Sequence, residues 1–333
     1  MAIRIGINGF GRIGRTILRR AHGDPAVEIV QVNDVTSTAG MAHLLKYDSV
    51  HGTFPAEIGF SENEILVGKK KILYSKISDI KKINWRETSV DIVFECTGRL
   101  KGKADCQYHL DGGAKKVIIS APAETDATLV MGVNEASYDP RVHHVVSNAS
   151  CTTNCLAPVA KVLDEHLQIV RGLMTTIHSY TNDQRIIDGV HDDLRRARAG
   201  GLNQIPTSTG AAKAIGLVLP RLKGKLDGMA IRVPTPNVSL VDLVVDVETA
   251  ATAEEINAWF REAARGALKG ILEITSEPLV SSDFNGSTYS SVVDGLSTKV
   301  LDKTLVKVLA WYDNETGFSQ RMVDMAKYIW SKQ

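Results

Sequence analysis

Apolar residues recur along this chain in two rhythms. Short runs rich in valine and isoleucine, at residues 3–8, 27–32, 90–94, 116–119 and 145–146, alternate with stretches whose apolar positions repeat at helical spacing. Ile13, Ile17 and Leu18 mark the buried side of the first such helix, and a further helical stretch covers residues 101–110. Strands alternating with helices predict a mostly parallel, doubly wound sheet. From Cys151 the pattern changes. A helix is predicted through Leu156, Val159, Ala160 and Leu163, with a kink at Pro158, which removes a backbone hydrogen bond. Longer β-favouring runs follow at 172–177, 229–233, 238–247 and 305–311. Helices are predicted at 211–219 and after Thr252, where Thr252 and Glu255 form a capping box ahead of Ile256, Trp259, Phe260 and Ala263. A last helix carries Met322, Ala326 and Ile329. There is no internal repeat.

Composition narrows the classes. At 333 residues the chain is long enough for two domains with sizeable cores. Its 39 basic and 38 acidic residues nearly cancel, so neither nucleic acid nor a membrane is expected as the main partner. The chain opens directly on an apolar strand with no basic leader, so no secretory signal is expected, and no apolar run is long enough to predict a membrane span. Four cysteines (Cys96, Cys106, Cys151 and Cys155) make neither a disulfide framework nor a zinc set, and no metal is expected. A reducing cytoplasm suits that cysteine usage.

Two stretches carry candidate chemistry. Gly9, Gly11 and Gly14 form G-x-G-x-x-G between the first strand and the first helix, which permits a tight turn and close approach of a pyrophosphate to the helix N-terminus. The second strand ends at Asp34, whose carboxylate can accept hydrogen bonds from a ribose diol and would repel a 2′-phosphate. That combination points to a dinucleotide. The second stretch is Ser147 to Cys155. Ser150 is a plausible N-cap and Cys151 opens a helix, where unpaired amides favour a thiolate. Hydroxyls of Ser150, Thr152 and Thr153 can meet an anion there. His178, at a strand exit, is a base candidate if the fold brings it to Cys151. Arg232, inside an otherwise apolar strand, needs a partner such as a phosphate or a carboxylate. Ser120, at a strand end, is placed to touch a cofactor, and Cys96 is expected to be buried rather than reactive.

Six strings in order, Ile-Asn-Gly-Phe-Gly-Arg-Ile-Gly-Arg from Ile7, Ala-Ser-Cys-Thr-Thr-Asn-Cys from Ala149, His-Ser-Tyr-Thr-Asn-Asp-Gln from His178, Ser-Thr-Gly-Ala-Ala-Lys from Ser208, Arg-Val-Pro-Thr-Pro-Asn from Arg232 and Trp-Tyr-Asp-Asn-Glu from Trp311, give a whole-length resemblance to phosphorylating glyceraldehyde-3-phosphate dehydrogenases of the bacterial and plastid type. The resemblance implies a Rossmann domain over residues 1–150, onto which a helix at 315–333 packs back, and an α+β catalytic domain with a large mixed or antiparallel sheet over 151–314. It implies Cys151 as nucleophile and His178 as its base. Thr181 and Arg232 would hold the substrate's phosphate, and Ser150, Thr152, Thr209 and Gly210 the inorganic phosphate. Arg196 would be a further phosphate contact. NAD would lie on Gly9, Gly11, Arg12, Ile13, Gly14, Asp34, Ser120 and Asn314. The implied reaction takes glyceraldehyde 3-phosphate and inorganic phosphate in glycolysis or gluconeogenesis, in a cytoplasmic homotetramer.

Departures from the family pattern bear on the cofactor. Gly189 and Val190 stand where strongly NAD-selective members resemble Leu-Pro, and members that accept NADP carry small residues there. Ser78 stands where many members have an arginine near the adenine. The expectation is NAD preference, set by Asp34, with measurable NADP use. Alternative readings are an erythrose-4-phosphate dehydrogenase and an NADP-accepting biosynthetic paralogue. Residues 179–182 keep the glyceraldehyde-3-phosphate pattern.

Overall fold

The computed structural model of the protein describes residues 2–100 and 102–333. The chain forms two compact units. The first comprises residues up to Leu129, then Ala136–Ala149 and Ser319–Gln333; the second comprises Val130–Glu135 and Ser150–Phe318.

In the first unit, β1 (Ile3–Asn8), α1 (Arg12–Ala21), β2 (Val27–Asn33) and α2 (Thr38–Lys46) are followed by a meander of β3 (Ile58–Phe60), β4 (Glu64–Val67) and β5 (Lys70–Ser75). Then come β6 (Ile92–Glu95), α3 (Lys103–Asp111), β7 (Lys116–Ile119), β8 (Ala127–Thr128) and β9 (Val145–Ser147). Of the helical stretch predicted over 101–110, Lys101 lies outside the described residues. The strand order is β3-β4-β5-β2-β1-β6-β7-β9-β8, parallel from β5 to β8 and antiparallel through β3, β4 and β5. This is the predicted doubly wound sheet. Its strands pair parallel with β2 on one side of β1 and β6 on the other, so the carboxyl ends of β1, β2 and β6 share one edge, where such sheets bind ligands. The meander was not predicted. Its strands are short and β5 begins on two exposed lysines, so their apolar signal is weak; Gly68, at φ +59°, makes the turn between β4 and β5.

The second unit opens on α4 (Cys151–Leu167) and continues with β10 (Ile169–Ser179), β11 (Ile205–Ser208), α5 (Ala211–Val218), β12 (Leu226–Val233) and β13 (Ser239–Val247). It ends with α6 (Ala253–Arg265), β14 (Leu272–Thr275), β15 (Ser291–Asp294), β16 (Lys299–Leu301) and β17 (Leu305–Tyr312). The sheet order is β11-β12-β10-β13-β17-β15-β14, with β16 on β17. Parallel and antiparallel pairs are mixed, as expected: β10 runs parallel to β12 and antiparallel to β13. Pro158 sits inside α4, which continues past it as one helix. The Thr252–Glu255 capping box forms at the start of α6.

The last helix, α7 (Thr316–Trp330), contributes its residues from Ser319 onward to the first unit. There Lys327 pairs with Asp24 at 2.9 Å and Gln320 accepts from Arg20 at 3.0 Å.

Gly9 shows how closely the glycine turn is packed. It lies at φ +92°, and a Cβ built there would fall 2.7 Å from the backbone nitrogen of Thr97 and 2.8 Å from the carbonyl carbon of Cys96. Both atoms are backbone, so neither can swing away. Gly9→Ala should therefore cost about 1–3 kcal/mol. Calorimetry should show the melting temperature several degrees lower; an unchanged value would mean that the turn gives way freely.

Candidate active site

Cys151 opens α4, and the Ser150 hydroxyl caps the helix by accepting the Thr153 N–H at 3.0 Å. The chain reaches this cap through Ala149, a non-glycine residue at φ +54°, which is a strained turn directly before the nucleophile candidate. Cys151 Sγ lies 3.5 Å from His178 Nε2, within the reach of a sulfur hydrogen bond. His178 stands on β10 opposite Arg232 on β12, and Arg232 Nη1 is 2.6 Å from His178 Nδ1. The Ser179 carbonyl is 2.7 Å from the same nitrogen and accepts from Arg232 at 3.0 Å. Among the described residues Arg232 thus has no carboxylate in hydrogen-bond contact, and its buried Nε has no hydrogen-bond partner.

The electrostatics of this trio are set by burial. Burial pushes the Cys151 thiol up, while the Arg232 charge and the Thr152 hydroxyl and N–H pull it down; the net direction is upward. A stabilised thiolate, expected from the helix start alone, therefore needs more than the helix. Burial, then the neighbouring Arg232 guanidinium, depress the His178 imidazole to about 3. Each charge is disfavoured alone. A thiolate–imidazolium pair is net neutral, and each charge offsets part of the other's penalty.

Residues that sequence reasoning missed brace the site. The Tyr312 hydroxyl bonds the Thr152 hydroxyl at 2.9 Å and the Thr176 hydroxyl at 2.8 Å, and its ring meets His178 edge-on. A fully buried tyrosine needs such partners, but which ones is decided by the register of distant strands. Ser239 accepts the Ser179 N–H at 3.1 Å and donates to Asn314 Oδ1 at 2.8 Å, which ties Asn314 to the strand carrying His178.

Among the phosphate candidates, several hydroxyls already have partners. Ser150 Oγ bonds the Thr153 hydroxyl, and Thr152 bonds Tyr312. Thr181 is exposed, and its N–H and hydroxyl both donate to Gln184 Oε1. Thr209 accepts from the Ala211 N–H at 3.2 Å beside Gly210, the N-cap of α5, which has open space around its Cα. Arg196 is engaged on three sides: Asp183 at 2.7 Å, the Thr207 hydroxyl at 2.8 Å and the Ser208 carbonyl at 3.1 Å.

The first unit holds the dinucleotide candidates. Gly11 caps α1 without a side chain, and a Cβ there would meet nothing within 4 Å, which leaves room for a ligand at the helix N-terminus. A Cβ at Gly14 would fall 2.3 Å from the Gly9 carbonyl oxygen, so only glycine lets α1 start this close to β1. Ile13 is half-buried, and Arg12 pairs with Asp48 at 2.8 Å. Asp34 accepts the Phe10 N–H at 2.7 Å and the Thr36 N–H at 3.0 Å, so it clamps the glycine turn. The Ser120 N–H donates to the Glu95 carbonyl, and burial raises the neighbouring Cys96 thiol far above its usual range. These residues fit a dinucleotide.

Comparison with known proteins agrees with both halves. Residues 3–103 match the family description "Glyceraldehyde 3-phosphate dehydrogenase, NAD binding domain", and residues 150–314 match "Glyceraldehyde 3-phosphate dehydrogenase, C-terminal domain". The chain is 61% identical to glyceraldehyde-3-phosphate dehydrogenase of Geobacillus stearothermophilus over 333 residues, covering 100% of this chain and 99% of the relative. It is 59% identical to glyceraldehyde-3-phosphate dehydrogenase 1 of Bacillus subtilis, with the same coverage. A chloroplastic glyceraldehyde-3-phosphate dehydrogenase of Arabidopsis thaliana is 54% identical over 99% of this chain and 75% of its own length. Matched in both domains and along its whole length, the chain belongs to the glyceraldehyde-3-phosphate dehydrogenase family.

Proposed function

We propose that the chain oxidises D-glyceraldehyde 3-phosphate with NAD and inorganic phosphate to 1,3-bisphosphoglycerate, through a thioester on Cys151. The observation that carries this reading is a thiol at a helix start, 3.5 Å from an imidazole that has a guanidinium on its far side.

The steps follow from the side chains. Cys151 adds to the aldehyde carbon as His178 takes its proton, the amides at the start of α4 stabilise the oxyanion that forms, and His178 returns the proton to that oxygen to give the hemithioacetal. His178 then removes the proton of the resulting hydroxyl, which drives loss of hydride from carbon and leaves a thioester. Gly9, Gly11, Gly14, Asp34 and Ser120 would hold NAD, which would supply the hydride acceptor. Inorganic phosphate attacks the thioester, with the Thr209–Gly210 turn and the hydroxyls near Cys151 as its anion site, and the thiolate leaves.

Arg232 has two roles in this reading. It binds the substrate's phosphate, and it influences which nitrogen of His178 carries the proton. The Ser179 carbonyl can only accept, so a proton on Nδ1 leaves Nε2 free to take the thiol proton. Arg232 can only donate, and its contact with Nδ1 favours the opposite tautomer. An anion engaging Arg232 draws the guanidinium off and cancels its charge against the imidazole. Substrate binding thereby favours the base form.

NAD is the preferred cofactor in this reading, with measurable NADP use, since Asp34 opposes a 2′-phosphate while Gly189 and Val190 present little bulk. No group of three or more His, Cys, Asp or Glu side chains suited to a metal ion occurs among the described residues, and the proposed chemistry calls on none. Homotetramer formation is supported by the apolar exposure of the 181–203 segment, where Ile186, Val190 and Leu202 are 92%, 93% and 83% exposed. A cytoplasmic location accords with the glycolytic role.

His178→Asn should lower kcat by about 10²–10⁴. It should also raise the pH at which iodoacetamide labels Cys151, because burial keeps an unassisted thiol protonated. Labelling at unchanged pH would remove His178 as the base. For the cofactor, kcat/KM measured with NAD and NADP should favour NAD by roughly tenfold for each 1.4 kcal/mol of repulsion at Asp34. Equal values would contradict a discriminating role for Asp34.

A further inference from the structure

Beneath the carboxyl edge of the first sheet lies a buried polar chain that the reaction does not use. Glu95, the last residue of β6, is 1% exposed, and His109 on α3 is fully buried. The Trp85 indole N–H donates to His109 Nδ1 at 3.0 Å, so the ring proton sits on Nε2 and is donated to Glu95 Oε2 at 3.0 Å. Asn8 Nδ2 donates to the same oxygen at 2.7 Å. The other oxygen accepts the Thr97 N–H at 2.8 Å and the Thr97 hydroxyl. Asn8 passes the chain on by accepting from Asn33 Nδ2 at 2.9 Å, and Asn33 in turn accepts from the Ser75 hydroxyl and the Ile77 N–H.

These partners are not scattered. Asn8 immediately precedes Gly9, Asn33 precedes Asp34, and Thr97 is the residue whose backbone packs against Gly9. One carboxylate therefore binds the end of β1 directly to the loop after β6, and through Asn8 to the end of β2. A buried carboxylate is costly to stability, and an apolar side chain of similar size would pack there without that cost. Its negative charge also does nothing to attract a pyrophosphate. What it does supply is a single acceptor group facing four donors, which holds the turn and the loop in one arrangement.

We propose that Glu95 is a positioning residue for the dinucleotide: it acts through Asn8 and Thr97 to hold the glycine turn in its binding geometry, and so sets cofactor affinity rather than the rate of chemistry. The proposal rests on NAD binding to the first unit. In Glu95→Gln either orientation of the amide sets its NH2 against two donors, those of Asn8 and His109 or the N–H and hydroxyl of Thr97, so the clamp is broken on one side with almost no change in volume.

The test is calorimetric titration of NAD into the full-length protein, with steady-state kinetics on the same samples. Glu95→Gln should weaken NAD binding about tenfold or more, as expected for one lost charge-assisted hydrogen bond. Its kcat at saturating NAD, and its KM for glyceraldehyde 3-phosphate, should stay within about twofold of wild type on the same reasoning. Trp85→Phe removes the far end of the chain only. It should lower the melting temperature and leave NAD affinity unchanged. Asn8→Asp places two carboxylates together and should bind NAD poorly; adding Glu95→Gln should restore part of the loss. If Glu95→Gln fails to fold, Thr97→Val, which deletes one donor, should still weaken binding severalfold.

Unchanged NAD affinity in Glu95→Gln or, where that variant does not fold, in Thr97→Val would overturn the proposal. So would an equal loss in Trp85→Phe, which would make the chain a stability element only. A wild-type protein that bound no NAD would instead remove the dinucleotide reading, and this proposal with it.

Discussion

The catalytic unit depends on a net-neutral proton pair placed where a lone charge is penalised. Burial raises the Cys151 thiol and depresses the His178 imidazole, so neither ionises readily by itself. Their 3.5 Å contact permits a proton to pass between them without creating net charge in the interior. Other features of the unit serve that contact. The Ser150 cap anchors the helix that carries the sulfur, and the parallel register of β10 and β12 sets Arg232 beside His178. Tyr312 joins Thr152 to Thr176, one residue from Cys151 and two from His178. A single buried hydroxyl thus links the helix of Cys151 to the strand of His178.

Arg232 makes the same contact sensitive to ligand. A charged side chain in an apolar strand is usually resolved by a carboxylate partner, but here the guanidinium leans on an imidazole and a carbonyl. That arrangement is unfavourable until an anion arrives. The strain is local, it lies beside His178, and an anion bound at Arg232 would relieve it. The first unit uses buried charge differently. Asp34 and Glu95 both accept backbone N–H groups around the glycine turn, so Asp34, read from the sequence as a ribose contact, is also a clamp.

Much of this was legible in the chain. The strand–glycine–helix–strand–acid order at Gly9 to Asp34, and the helix opening at Cys151 behind a Ser150 cap, depend on local propensity and appear in the structure where expected. The pairings across distance were not legible. Cys151 and His178 are 27 residues apart, and their meeting depends on how β10 leaves α4. Tyr312 reads as one more buried ring at the end of an apolar strand. Nor does anything local say that α3 delivers His109 to Glu95. The β3–β5 meander was missed for the opposite reason: its strands are short, and exposed lysines dilute their alternation. Arg196 was read as a phosphate contact from resemblance, and its side chain here is engaged by Asp183, Thr207 and Ser208.

The most direct test is mass spectrometry of the protein mixed with glyceraldehyde 3-phosphate and NAD in the absence of inorganic phosphate, quenched in acid and digested. The account predicts a 3-phosphoglyceroyl adduct on the peptide containing Cys151, lost within one turnover when phosphate is added. An adduct on Cys96, Cys106 or Cys155, or product formation with no covalent species at any cysteine, would contradict it.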